Sequence, residues 1–97
     1  MEVKKNLSGD VLELQVIGRL DTSTAPQLEA IVSDLSGVKT LVLNFQELEY
    51  ISSAGLRVVL GCMKTMNKQG NMTIKNVNDT VMEVFEITGF ADLLNIE

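Results

Sequence analysis

The clearest hydrophobic pattern in the chain runs through Glu49–Gly70, whose sequence is EYISSAGLRVVLGCMKTMNKQG. A short apolar run, Leu41–Phe45, precedes it and is typical of a buried strand. After the serine pair Ser52-Ser53, apolar residues recur at steps of three and four, which predicts a helix with one buried face. Gly70 is the expected end of this helix. The predicted face consists of Leu56, Val59, Leu60, Met63 and Met66.

Alternating apolar and polar residues near the N-terminus predict an antiparallel hairpin at one edge of a sheet. Val3–Leu7 and Val11–Ile17 are the strands, and Ser8-Gly9-Asp10 is the turn between them. In the second strand, Glu13 and Gln15 leave one face at least partly in water. The opposite face is apolar and contains Leu12, Leu14 and Val16.

A loop over Gly18–Ser23 and a helix that begins at Thr24 are predicted next. Thr24 and Gln27 have the spacing of a capping box, and Pro26 is tolerated in the first turn of a helix. Gly37 is expected to end the helix in a left-handed conformation. The apolar stripe of this helix comprises Leu28, Ile31, Val32 and Leu35.

The remaining pattern predicts two more strands and another helix. Lys39–Phe45 is apolar at consecutive positions, so both of its faces should be buried, and Asn71–Val77 is a further strand. Asn78 starts a helix that Gly89 closes, and Phe90–Ile96 is a short strand or helical turn that packs back on the body. The shared face of this last helix comprises Val81, Val84, Phe85 and Thr88.

This alternation of strands and helices predicts an α/β fold with a small mixed sheet. We expect roughly four to five strands, an antiparallel hairpin followed by parallel strands, and about three to four helices packed on them. The 97 residues contain no repeat or linker, so residues 1–97 are expected to form one domain. Since only 4% of the residues are aromatic, its core should be aliphatic and rich in methionine.

The charge of the chain argues against nucleic acid and membrane surfaces as partners. Its net charge is −5 and its pI about 4.6, which disfavours approach to phosphate backbones and anionic lipid. Lys4-Lys5 is too short to form a basic patch and should instead keep an edge strand in water. No apolar run reaches the roughly 20 residues of a membrane span, and the N-terminus lacks a signal-peptide core. We therefore expect a cytoplasmic protein.

The residues offer little for catalysis. The chain has no His, which removes His-based triads, bases and metal ligands, and it has no Walker loop. Ser53 has no evident base, because Lys64 lies three helical turns away, and Glu47 and Glu49 lack a metal-site pattern. Cys62 is the only cysteine, so no internal disulfide can form, and a small buried hydrophobe is favoured over a redox role. We expect no catalytic residue, cofactor or metal ion.

The serine pair lies where the predicted helix begins. Serine is a common N-cap, because its hydroxyl accepts a hydrogen bond from a free amide of the first turn. The same free amides and the helix dipole also favour a phosphate at this position. From the residues alone, both a capping role and a phosphorylated serine remain open.

The stretch YISSAGLRVVLGCMK resembles the signature of bacterial anti-sigma-factor antagonists of the STAS domain family. That signature is a hydrophobic residue, Asp-Ser, then Ser, Thr or Ala, then Gly-Leu and an apolar helix. Because Ala54-Gly55 matches the pair after the family's phosphorylated serine, the resemblance implies that Ser53 is the phosphosite. Ser52 stands where the family usually has Asp, and it is a second candidate acceptor. Three further pieces resemble the family in the right order: Gly18-Arg19-Leu20-Asp21, Leu41–Phe45 and Thr88-Gly89-Phe90.

The resemblance implies an anti-sigma-factor antagonist. Its unphosphorylated form would bind an anti-sigma factor that is also a serine kinase and so free a sigma factor. Phosphorylation of Ser53 would end this binding, and a serine phosphatase would restore it. The alternatives are a STAS scaffold module in which Ser53 is only structural, and a small-ligand or nucleotide sensor that uses the same helix N-terminus.

The expected partner-binding surface surrounds Ser53. Asp21 should lie beside it, since the two loops leave parallel strands at the same end, although Asp21 also suits an Asx-type turn. Arg57 either pairs with phosphate on Ser53 or with an acid on a partner, or it is simply a charge in solvent. Gly61 lowers helix stability by about 1 kcal/mol relative to alanine, which either a close partner or tight internal packing would explain. The predicted surface comprises Asp21, Ser52, Ser53, Ala54, Gly55, Arg57, Gly61 and Lys64.

A semi-apolar strip is predicted between the buried and exposed faces of the same helix. Val58, Cys62 and Thr65 form this strip. It suits a docking surface beside the phosphosite, or it is covered by the third helix.

Overall fold

The structure, a computed structural model, describes residues 1–97 and contains a five-stranded sheet and three α-helices. In chain order, the elements are β1 (Glu2–Ser8), β2 (Val11–Leu20), α1 (Ala25–Ile31), β3 (Thr40–Asn44), β4 (Leu48–Ile51), α2 (Ser53–Asn67), β5 (Asn71–Lys75), α3 (Asp79–Thr88) and a short 3₁₀ helix (Phe90–Asp92). The predicted mixed α/β fold is confirmed, because an antiparallel β1–β2 hairpin is followed by parallel strands.

The sheet has the strand order β1-β2-β3-β5, and β4 pairs with the far end of β2. Gly9 closes the hairpin at a positive φ of 62°, and β1 is an edge strand on which Lys4 and Lys5 are exposed, as predicted. The pairs β2–β3, β3–β5 and β2–β4 are all parallel. β4 therefore lies beyond the end of β3, on the same side of β2.

The register of the strands builds one apolar face. Leu14, Leu43 and Ile74 are register partners, and each is 0% exposed. Together with the inner faces of the helices, this face forms a core of 23 buried residues. Val42, on the opposite face of β3, is also buried, so the prediction that both faces of this strand are covered is confirmed. Glu13 remains half-buried on that opposite face, as expected.

The predicted loop over residues 18–23 is partly wrong. β2 continues to Leu20 through an irregularity at Gly18, whose φ is 100°. Its extension pairs with β4, a strand that the hydrophobic pattern did not predict. The reason is that β4 has four residues, and two of them, Glu49 and Tyr50, are not buried.

The first helix is shorter than its apolar stripe indicated. α1 ends at Ile31, and Leu35 is buried from the turn that follows. The predicted capping box is wrong, since Thr24 makes no side-chain cap bond and its hydroxyl donates to the Arg19 carbonyl at 2.8 Å. Gly37 has the predicted left-handed conformation, with φ of 81°, but it lies in the loop after the helix.

The third helix has the predicted ends. Asn78 caps α3 by accepting a hydrogen bond from the Val81 amide at 2.8 Å, and Gly89 ends the helix at a φ of 81°. Val81 and Phe85 are buried as predicted. Thr88 is exposed instead, with its hydroxyl bonded to helix carbonyls, so its place on the buried face is wrong.

The C-terminal segment contains both conformations that the sequence left open. The 3₁₀ helix follows Gly89 directly, and Ile96 then forms a parallel bridge to Ile74 in β5. Leu94, between the two, is 7% exposed. The segment therefore packs back on the core, as expected.

Gly70 follows α2 for a different reason from the one predicted. α2 ends at Asn67, and Gly70 is not among the residues with positive φ. A Cβ at this position would overlap the carbonyl oxygen of Lys39, which accepts a hydrogen bond from the Asn71 amide. Gly70 is thus required by the close approach of two backbones and not by a left-handed cap.

Candidate functional site

The N-terminus of α2 is held at the end of the sheet by β2 and β4. Leu20 and Ile51, the last residues of these strands, are register partners, and the Ser52 amide donates to the Leu20 carbonyl at 2.9 Å. Asp21 therefore leaves β2 at the same edge where Ser52 and Ser53 leave β4. This agrees with the predicted neighbourhood of Asp21, but the strand that creates it is β4 and not β3.

The two serines differ in structure. Ser52 is the N-cap of α2, is half-buried, and accepts a hydrogen bond from the Gly55 amide at 3.5 Å. Ser53 is the first residue of the helix, and its side chain is exposed and takes no part in capping. The first turn contains no acidic residue. The hydroxyl that is accessible at the positive end of the helix dipole is therefore that of Ser53.

Gly55 sets how closely α2 approaches the sheet. A Cβ at this position would lie 2.7 Å from Cγ of Leu20, 2.9 Å from its carbonyl oxygen and 2.9 Å from Cγ1 of Ile51. Gly55 is buried, and Ala54 is half-buried against the core. Within the predicted partner surface, these two residues thus serve the packing that positions Ser53.

The buried face of α2 is rotated relative to the predicted one. Leu56, Val59 and Met66 are buried as expected, and Met63 is half-buried against the core. Leu60 is half-buried outside the core, so its assignment to the core is wrong. The helix also buries Gly55, Val58 and Cys62, which lie outside the predicted face. The period of the pattern could not decide between these faces, because apolar residues surround most of the helix.

The semi-apolar strip of α2 borders α1 and not α3. Val58, Cys62 and Thr65 line a cleft of about 280 Å³ together with Glu29 and Val32. Val58 and Cys62 are buried at the edge of this cleft, whereas Thr65 is exposed. Coverage by the third helix, one of the two predicted outcomes, is therefore wrong.

Cys62 has the environment of a small buried hydrophobe. Its side chain is 3% exposed, and burial raises the pKa of its thiol to about 11. The reactive thiolate is thus disfavoured at neutral pH. This agrees with the structural role that was favoured for Cys62.

The outer face of α2 carries Arg57, Gly61 and Lys64, and all three are exposed as predicted. A Cβ added to Gly61 would have no atom within 4 Å. Tight internal packing, one of the two explanations left open for this glycine, is therefore wrong. Neither Arg57 nor Lys64 forms an ion pair, since the one salt bridge joins Arg19 and Asp21.

A second cleft opens at Ser53 itself. It has a volume of about 280 Å³ and lies between α2 and the C-terminal end of α3. Its lining is largely apolar and includes the half-buried Leu60 and Phe90. Leu60, predicted to be in the core, thus borders the surface beside the accessible serine.

Asp21 is held in the Asx-type turn that was one of its two predicted roles. Its carboxylate accepts hydrogen bonds from the Ser23 hydroxyl at 2.8 Å, the Ser23 amide at 3.0 Å and the Thr24 amide at 3.2 Å. The Ser23 hydroxyl, supported by these amides, holds the pKa of Asp21 below its ordinary value. Asp21 is therefore a fixed negative charge at the edge from which α2 begins.

Sequence reasoning did not assign Arg19 and Tyr50 to this edge. The Arg19 guanidinium lies 4.6 Å from the centre of the Tyr50 ring and 3.8 Å from the Asp21 carboxylate. Arg19 in β2 and Tyr50 in β4 are register partners. Without β4 in the predicted fold, nothing in the sequence placed Tyr50 next to Arg19.

The structure shows no arrangement suited to a metal site. No group of three or more His, Cys, Asp or Glu side chains is close enough to hold a metal ion. Glu47 accepts a hydrogen bond from the Gln15 side chain at 2.9 Å.

None of the helices combines the length and the apolar character that crossing a membrane requires.

Comparisons with known proteins agree with this fold. The model of the STAS domain matches residues 2–97. The anti-sigma-B factor antagonist of Staphylococcus aureus is 32% identical over 87 residues, which cover 87% of this chain and 81% of that protein.

Two solved structures of the anti-sigma factor antagonist SpoIIAA have the same fold. The unphosphorylated form matches with a TM-score of 0.85 at 24% identity, over 99% of this chain and 88% of that chain. The phosphorylated form, described as a Bacillus cell fate determinant, matches with a TM-score of 0.77 at 23% identity, over 99% and 91% of the respective chains. Since the family model covers nearly every residue and a relative shares about a third of its sequence, this chain belongs to the STAS domain family.

Proposed function

We propose that this chain is an anti-sigma-factor antagonist that is switched by phosphorylation of Ser53. Its unphosphorylated form binds a kinase-type anti-sigma factor and so frees a sigma factor, and a serine phosphatase reverses the phosphorylation. The chain is a kinase substrate and a switch, not a catalyst. In this proposal, residues 1–97 act as one domain in the cytoplasm.

The observation that carries the proposal is that the two serines have different positions and different hydrogen bonds. The half-buried Ser52 hydroxyl caps α2, whereas the exposed Ser53 hydroxyl is accessible at the same helix end. A kinase can therefore reach Ser53 without first breaking the cap. The S. aureus relative is named an anti-sigma-B factor antagonist, and SpoIIAA has been solved both with and without phosphorylation, which supports the same switch here.

The position of Ser53 explains how a phosphate can end binding without unfolding the chain. A phosphate adds about −1.5 to −2 charges at neutral pH. At the N-terminus of α2, this charge is locally favourable by about 0.3–1 kcal/mol when exposed. In a complex, however, the dianion must lose its water or face the partner directly. The free-energy penalty thus falls on the interface and not on the fold.

The test is to incubate the chain with ATP and the kinase-type anti-sigma factors of its own genome, and then to map the phosphate. We expect label on Ser53, and none on the Ser53→Ala variant, which should still bind the anti-sigma factor. Ser52→Ala is the matched control and should still be labelled. Ser53→Asp should fold but bind at least about tenfold more weakly, because its charge imitates part of the phosphate.

Three results would contradict this proposal. Labelling of Ser52, with equal affinities for the wild type and Ser53→Asp, would move the switch one residue earlier. Absence of both binding and labelling would favour a scaffold role. A rise in melting temperature with nucleotide or another small ligand would instead favour a sensor that uses the N-terminus of α2.

A further inference from the structure

A line of cations runs along the outer side of α2 and consists of Arg57 and Lys64 on the helix and Lys68 at its C-cap. We call this line the basic stripe. Positions seven and eleven residues after Arg57 lie about 20° to either side of it around an α-helix. All three side chains are exposed, and none forms an ion pair. α2 contains no Asp or Glu, although the whole chain has 13 acidic residues and 8 basic ones. The stripe is therefore a local positive surface on an acidic protein.

Gly61 lies in the middle of the basic stripe, one turn after Arg57. A Cβ at this position would meet nothing within 4 Å, so the fold itself does not require a glycine here. Glycine inside a helix lowers stability by about 1 kcal/mol relative to alanine. What glycine does provide is a bare backbone that another molecule can approach closely. The stripe thus combines positive charge at both ends with an open centre.

We infer that the basic stripe docks onto an acidic surface of a protein partner, and that the partner crosses α2 at Gly61. This inference rests on the proposed function, in which that partner is the anti-sigma factor. It adds an acidic partner surface that spans the whole stripe and a crossing point at Gly61. The stripe is continuous with the switch, because Ser53 precedes Arg57 by one helical turn.

Charge complementarity favours a protein over a polyanion as the occupant. The stripe spans about 16 Å of helix, which is the scale of a local contact between two proteins. The net charge of the whole chain is −5, and Glu29 lines the cleft next to Arg57. A nucleic acid or an anionic bilayer would extend past the stripe and meet these acidic residues. A folded partner can place its acids against the stripe alone.

Phosphorylation of Ser53 would also change the electrostatics of the basic stripe. Phosphate on Ser53 would add about −1.5 to −2 charges one turn from Arg57. This would offset much of the positive charge of three cations and would introduce repulsion against an acidic partner. Phosphorylation then weakens the attraction that the basic stripe supplies.

The test compares two double variants with the same change of net charge. Arg57→Glu/Lys64→Glu reverses two charges of the stripe, and Lys4→Glu/Lys5→Glu reverses two exposed charges on β1. Association with the anti-sigma factor is measured by stopped flow or surface plasmon resonance between low and high salt. We expect the α2 variant to bind at least about tenfold more weakly, chiefly through slower association and with a smaller salt dependence. The β1 variant should bind within about threefold of the wild type, since remote charges are screened.

Gly61→Gln tests the close approach separately. Glutamine is uncharged and favourable in helices, so this variant should melt at or above the wild-type temperature. We expect it to lose at least about fivefold in affinity for the anti-sigma factor, because its side chain occupies the open centre of the stripe. Wild-type affinity in this variant would overturn the crossing at Gly61.

The remaining outcomes separate this inference from the proposed function. If high salt does not weaken binding by the wild type, and the α2 double variant binds as tightly as the wild type, the acidic partner surface is overturned and the switch is left intact. An equal loss in the β1 variant would do the same, because net charge alone would then act. Failure of the wild type to bind any kinase-type anti-sigma factor would overturn both. Stripe-dependent binding of duplex DNA or phosphatidylserine vesicles would reassign the stripe to a polyanion.

Discussion

Helix α2 contains two glycines in opposite environments. At Gly55, a Cβ would lie within 3 Å of both Leu20 and Ile51, including a backbone oxygen. At Gly61, a Cβ would have nothing within 4 Å. Packing against the sheet therefore requires a glycine at Gly55, whereas packing does not require one at Gly61 on the other side of the helix.

The two faces of α2 therefore have different roles. The inner face, with Leu56 and Val59, joins the helix to the sheet and fixes where its N-terminus lies. The outer face, with Ser53 and Arg57, takes little part in the core. Substitutions on the inner face should therefore change the stability of the fold, whereas those on the outer face should mainly change binding.

The largest expected effect contrasts two leucines of α2. Leu56 is 3% exposed, so Leu56→Ala should lower the free energy of unfolding by about 2–5 kcal/mol. Leu60 is half-buried beside Ser53, so Leu60→Ala should lower it by less than about 2 kcal/mol. Urea denaturation of both variants measures the difference. Equal losses would mean that the inner face is centred elsewhere on the helix.

Gly55→Ala should have the next largest effect. The added methyl group would push against the Leu20 carbonyl, which a side-chain rotation cannot relieve. We expect a loss of about 1–3 kcal/mol, as for other overpacked sites. A melt that matches the wild type would show that the N-terminus of α2 is free to move away from β2.

The serine pair should show a smaller contrast. Ser52→Ala removes the N-cap of α2 and should lower stability by about 1 kcal/mol. Ser53→Ala, on the exposed first residue, should stay within about 0.5 kcal/mol of the wild type. Thermal melts of both variants decide which hydroxyl caps the helix. A greater loss for Ser53→Ala would exchange the two roles.

Gly61→Ala should give the smallest effect, and it should have the opposite sign. Because the new methyl group meets no atom within 4 Å, only the gain in helix propensity remains. We expect an increase of at most about 1 kcal/mol in the free energy of unfolding. Calorimetry of Gly55→Ala and Gly61→Ala side by side tests this comparison directly. A loss of stability in both variants would contradict the difference between the two glycines.

Local patterns were enough for much of the fold. The hairpin turn at Gly9 depends on a positive φ, and the caps at Asn78 and Gly89 are made to residues of the same helix. Such features can be read from the sequence because the interacting groups are a few residues apart. The resemblance in the stretch around Ser53 likewise placed the candidate switch before any tertiary contact was known.

Contacts between distant residues could not be derived in this way. β4 is too short and too polar to show a clear pattern, and only its pairing with β2 makes it a strand. The requirement for Gly70 appears only where the chain passes the Lys39 carbonyl. The capping box at Thr24 failed because its hydroxyl donates to the Arg19 carbonyl instead.

The sequence by itself determined the order of the main elements, the helix that begins at the serine pair and the cations on its exposed side. Only the tertiary structure decided that Ser52 is the cap, that Leu60 borders the surface, and that Gly55 is enclosed while Gly61 is open. The physical reason is that helix periodicity specifies which residues share a side. How far that side turns towards the sheet depends on packing against β2 and α1, which are distant in the chain.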